Sequence, residues 1–136
     1  MNSIPLIFIN KILIISLQGD INDKMALSLQ QSVLDKIYTT GAKGILLDIS
    51  LLDIVDSYLG RIITETVKMV QLLGAKAVLT GMKPYVAITL VELGLDIDGV
   101  EIALNADLGI KILEDHIKAG DIEEMFSEDL DEQGVD

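Results

Sequence analysis

The segment Gly44–Ile49, GILLDI, constrains this chain more than any other. Its apolar run over Ile45–Ile49, interrupted only by Asp48, has the pattern of a strand covered on both faces, because residues pointing both ways are greasy. A helical period comes next, with apolar or small residues at Ile62, Ile63, Thr66, Met69, Val70 and Leu73, and Gly74 closes it. Ala77–Leu79 is then a second short apolar strand. Two buried strands joined by a helix pair in parallel, since a parallel connection needs a crossover of a dozen or more residues.

The rest of the chain extends that unit. Leu6–Ile9 and Leu13–Leu17 are short β-branched runs separated by Asn10-Lys11, which predicts a hairpin, as Asn tolerates the left-handed turn conformation. Gly19-Asp20 ends it. Asn22 or Asp23 can cap a helix whose apolar positions are Met25, Leu27, Leu29, Val33, Leu34, Ile37 and Tyr38, with Gly41 as its stop. Pro84 suits the first turn of a helix that runs to Leu93 and ends at Gly94. Val100–Leu104 reads as a last strand, and Asn105 can cap a helix carrying Leu108, Ile112 and Leu113. The order β-β-α-β-α-β-α-β-α predicts an α/β fold: a mostly parallel sheet packed by helices, with one antiparallel edge strand from the N-terminal hairpin.

Half of the 136 residues are hydrophobic, enough for one aliphatic core. No apolar run reaches the length of a membrane span and no secretory leader pattern is present, so a cytoplasmic protein is expected. With no Cys, disulfides and thiolate chemistry drop out. The net charge is −12, and eight acidic residues with no Lys or Arg fall in positions 121–136. Such a chain does not suit nucleic-acid backbones or anionic membranes. The expected division is a domain over 1–120 and an acidic tail over 121–136, disordered or at most a brief helix around Ile122–Phe126.

Catalytic signals are thin. His116 is the lone histidine and sits among charged residues, as a surface side chain does. Phosphate-cradling glycine motifs are absent. Asp48, Asp53 and Asp56 fall at or beyond the carboxyl end of a parallel strand, where α/β sites gather. They read either as a Mg²⁺ site of a small enzyme or as turn and cap residues. Ser57 stands at the opening of the next helix, and its hydroxyl can cap that helix or accept a phosphate. Tyr58, Gly60 and Arg61 lie beside it. Gly60 leaves a bare backbone, for a partner's approach or for internal packing, and Arg61 can pair with an anion.

A set of motifs then narrows the reading: LDI-x-x-x-D-x-x-DS, LLGAKAVLTGMKP, VAITLVELG and KIYTTGAKG. Across Ile4 to Ala119 these resemble the STAS domain, in its small stand-alone form, the stressosome antagonist of the RsbS type. The resemblance implies a non-enzymatic antagonist and scaffold, with no cofactor or metal. It implies that Ser57 is phosphorylated by an RsbT-type serine/threonine kinase, which the unmodified protein sequesters, and that Asp56, Tyr58, Gly60 and Arg61 form the docking rim. It implies co-assembly with sensor-bearing RsbR-type STAS paralogues and resetting by an RsbX-type phosphatase. Thr89 matches a second phosphosite of those paralogues; it also fits a plain helical residue facing a neighbour. The alternative within the family is a free anti-anti-sigma factor that regulates an anti-sigma kinase. The acidic extension lies outside the pattern.

Overall fold

The N-terminal hairpin forms where its residues dictate. β1 (Leu6–Ile9) and β2 (Ile12–Gly19) run antiparallel, and Asn10 and Lys11 between them both take positive φ, 51° and 67°. This computed structural model describes residues 4–94 and 100–132, with side chains to 127. After the hairpin come α1 (Asp23–Thr40), β3 (Gly44–Leu52), α2 (Ser57–Leu72), β4 (Lys76–Thr80), α3 (Pro84–Glu92), β5 (Glu101–Ala103) and α4 (Ala106–Glu132). The five strands lie in chain order, β1-β2-β3-β4-β5; all neighbours after the hairpin are parallel, and β1 is the antiparallel edge.

Alternation along the strands sends side chains to two separate cores. Leu13, Ile15 and Leu17, with Ile45, Leu47, Ile49, Ala77 and Leu79, meet the apolar stripes of α1 and α2. Their neighbours Ile12, Leu46 and Val78 face the other way, onto Leu113 of α4. The α1–α2 side holds one buried polar link. Gln30 Nε2 donates to Thr66 Oγ1 at 3.2 Å, and that hydroxyl donates to the Ile62 carbonyl at 2.6 Å. The hydroxyl is thus both donor and acceptor, which removes the penalty of burying it.

On the other side, Gly109 lets α4 lie close against the sheet. A β-carbon there would run into Leu46 Cδ1 and fall 2.7 Å from Thr80 Cγ2. The helix then runs across Gly120 to Glu132, where the composition leads one to expect no order beyond a brief turn of helix. Nucleation explains the difference: residues 121–132 extend an existing helix, and their Glu, Met and Leu are good helix formers. Lys11 Nζ also reaches Asp121 Oδ2 at 3.5 Å. No helix among the described residues is long and apolar enough to cross a membrane.

Candidate functional site: the start of α2

The turn between β3 and α2 is held at three points. Val55 is buried in the core beneath it. The Asp53 backbone N–H donates to the Gly19 carbonyl at 3.0 Å, tying the turn to the end of β2. From the other side, the Tyr85 hydroxyl of α3 lies 2.7 Å from the Asp53 carbonyl and 3.0 Å from that of Leu52. A short loop seated on the core and tied to two elements presents the residue after it in a defined place.

That residue is Ser57, and its role differs from the expected cap. Asp56 is the N-cap. Its backbone is extended (φ −84°, ψ 177°), and its Oδ1 accepts from the Leu59 N–H at 2.8 Å. Ser57 is already the first helical residue, one place past the cap. It is exposed, and its hydroxyl has no hydrogen-bond partner among the described residues. The capping duty and the free hydroxyl therefore belong to adjacent residues.

The remaining rim residues separate in the same way. Arg61 is exposed one turn on, and Tyr58 is half-buried, with its ring packed on the main core. Gly60 is buried and leaves the rim. A β-carbon at this position would lie 2.6 Å from Leu93 Cδ1 and 3.6 Å from Leu90 Cδ2. Its bare backbone serves the packing of α3 on α2, not the approach of a partner. Thr89 belongs to that same contact. It is half-buried, its Cγ2 is 3.7 Å from the same point, and its Oγ1 donates to the Tyr85 carbonyl at 3.1 Å.

The three carboxylates do not converge. Asp48 shares a sheet face with Leu46, on the α4 side, and its Oδ1 accepts from the Ser50 N–H at 3.0 Å. Asp53 and Asp56 sit in the turn, as turn and cap residues do. His116 lies exposed on α4, on the far side of the sheet from α2. Two features are not foreseen from the sequence. One is the Tyr85 bond to the turn, which no spacing announces. The other is the outer face of α3, with Tyr85, Ile88 and Val91 exposed. A signal for the second exists: PYVAITLV is apolar all round, unlike an ordinary surface helix.

The family model of the STAS domain matches residues 3–107, and this chain belongs to that family. A serine-to-glutamate variant of RsbS from Moorella thermoacetica is similar in structure, with a TM-score of 0.79 and 32% identity, covering 86% of this chain and 99% of that one. A chain from a structure described as the molecular architecture of the stressosome, a signal integration and transduction hub, matches with a TM-score of 0.72 and 32% identity, covering 83% of this chain and 98% of its own. Among curated proteins, the RsbT co-antagonist protein RsbRA of Bacillus subtilis is 31% identical over 99 residues, 72% of this chain and 36% of that protein. The RsbT co-antagonist protein RsbRD of the same organism is 33% identical over 88 residues, 65% of this chain and 32% of its own length. The chain thus spans about a third of the length of the curated relatives it matches.

Proposed function

We propose that this chain is a phosphoserine-switched antagonist and a scaffold subunit of a stressosome, working in the cytoplasm. Unmodified, it holds an RsbT-type serine/threonine kinase; phosphorylated at Ser57, it lets the kinase go. The observation that carries this reading is the placement of Ser57. Its hydroxyl is exposed and free of hydrogen bonds among the described residues, and it stands on a turn fixed by Gly19, Val55 and Tyr85. The similarity to RsbS and to proteins named as RsbT co-antagonists supports both the kinase and RsbR-type paralogues as partners. An RsbX-type phosphatase completes the cycle.

The chain contributes an acceptor, and the kinase does the catalysis. Ser57 Oγ attacks the γ-phosphorus of ATP, the bond to the ADP oxygen breaks, and the hydroxyl proton passes to a base of the kinase. The product places about −1.5 to −2 charges at the first position of α2. The helix itself tolerates this, because its N-terminal N–H groups favour an anion. Docking does not. The phosphoserine faces the kinase's own catalytic carboxylate and nucleotide phosphates, and its neighbours Asp53 and Asp56 add to the same repulsion. An unpaired charge in a desolvated interface costs about 3–4 kcal/mol, a few hundredfold in affinity. The switch needs no refolding.

The test is to incubate the chain with its RsbT-type kinase and ATP and to map the phosphate by mass spectrometry. One phosphate on Ser57, absent from Ser57→Ala, is expected. Unchanged incorporation into Ser57→Ala, or none into the wild type, rejects the reading.

A further inference from the structure

The start of α2 is too small to hold a protein by itself. A stable interface takes about 800 Å² and roughly 20–30 residues from each partner. Asp56, Ser57, Tyr58 and Arg61 supply a minor part of that, so the footprint must spread to one side. Towards α1 the neighbouring exposed residues are Asp20, Asn22, Asp23 and Lys24, a charged and polar surface with a single exposed apolar side chain, Leu27, one turn on. Towards α3 the surface carries an apolar stripe, with charged Lys83 and Glu92 exposed only at the two ends of the helix. Ile54 in the turn is 62% exposed, and on the outer face of α3 Tyr85, Ile88 and Val91 are 42%, 59% and 76% exposed. The inner face of the same helix buries Val86 and Leu90, so α3 is greasy on both sides. A helix of that composition is ordinarily covered on both sides.

The two surfaces are continuous. The Tyr85 hydroxyl binds the Leu52 and Asp53 carbonyls, which joins the α3 stripe to the turn that carries Ser57. We propose that the kinase docks across this whole surface, with Ile54, Tyr85, Ile88 and Val91 as its apolar anchor. The inference rests on the reading of Ser57 as the switch residue. It divides the labour within one interface: the α3 stripe supplies affinity that does not depend on charge, and Ser57 supplies the charge that ends it. Among the described residues a similarly exposed apolar side chain, Leu72 at 87%, lies at the opposite end of α2 and serves as a control outside the footprint.

The experiment compares kinase affinity, by titration calorimetry, for the wild type, the double variant Ile88→Glu and Val91→Glu, the single variants Val91→Lys and Leu72→Glu, and Ser57→Asp. The double variant is expected to raise Kd roughly 30-fold or more, as loss of a central apolar anchor does. Val91→Lys, at the most exposed of these positions, gives the same direction where the double variant folds poorly. Leu72→Glu is expected to match the wild type. If Ser57→Asp weakens binding but the folded α3 variants bind like the wild type, the α3 anchor is wrong and the switch stands. Loss of co-assembly with an RsbR-type paralogue at unchanged kinase affinity also overturns the inference, by assigning the stripe to the scaffold. If Ser57→Asp binds like the wild type while the α3 variants lose affinity, the docking surface stands and the switch fails.

Discussion

The two helices that leave the carboxyl ends of β2 and β3 start in the same way and differ in what surrounds the start. Each has an extended Asx residue as cap, and each cap accepts the N–H of the residue three places on: Asn22 from Met25 and Asp56 from Leu59, both at 2.8 Å. The first helical residue is Asp23 in one and Ser57 in the other. Around Asp23 the exposed surface is polar apart from Leu27 one turn on; around Ser57 it runs into Ile54 and the apolar stripe of α3. Capping is thus a generic local solution that says nothing about function. The distinguishing features are a hydroxyl left free by its neighbour and a greasy surface on which a protein can sit.

The sharpest way to break this comparison is to make the two starts alike. Asp23→Ser gives α1 the same cap-then-serine order as α2. In a kinase reaction read out by mass spectrometry, phosphate is expected on Ser57 and none on the new hydroxyl. Phosphate at both would mean that any serine behind an Asx cap suffices. Next in size is packing. Gly109→Ala is expected to destabilise by about 1–2 kcal/mol in denaturant unfolding, because its β-carbon meets the buried Leu46 and Thr80. Gly60→Ala is milder, within about 1 kcal/mol of neutral. The obstructing atom is the end of the half-buried Leu93, which can swing aside, and alanine improves helix propensity by about 1 kcal/mol.

The smallest effects sharpen the comparison at the caps. Asn22→Ala and Asp56→Ala are each expected to cost about 1 kcal/mol, the value of a lost N-cap. Ser57→Ala is expected to stay within about 0.5 kcal/mol of the wild type, as surface changes away from special features do. A loss at Ser57 equal to that at Asp56 would return the capping role to the serine.

Much of the fold was legible in the residues. Period 2 and period 3.6 separated strands from helices, Asn10-Lys11 marked the hairpin, and Pro84 and Gly41 marked a helix start and a helix stop. Asp56 was readable as a cap residue, but that it leaves Ser57 no part in the capping was not. Both side chains can cap, and the choice depends on which backbone unit stays extended, which the pull of Gly19, Val55 and Tyr85 on the turn decides. The burial of Gly60 was equally hidden, because it depends on where α3 crosses α2. The helical course of 121–132 was obscured by composition, which registers charge but not the helix already running into that segment.

The central claim is that Ser57 is free to switch because Asp56 has taken over the cap. Kinase affinity of Ser57→Ala and Ser57→Asp, measured side by side with the wild type, tests it most directly. Ser57→Ala is expected to bind within about twofold of the wild type. Ser57→Asp, a partial mimic of the phosphate charge, is expected to bind at least tenfold more weakly, a difference of about 1.4 kcal/mol or more. Equal affinity for the two variants would contradict the claim.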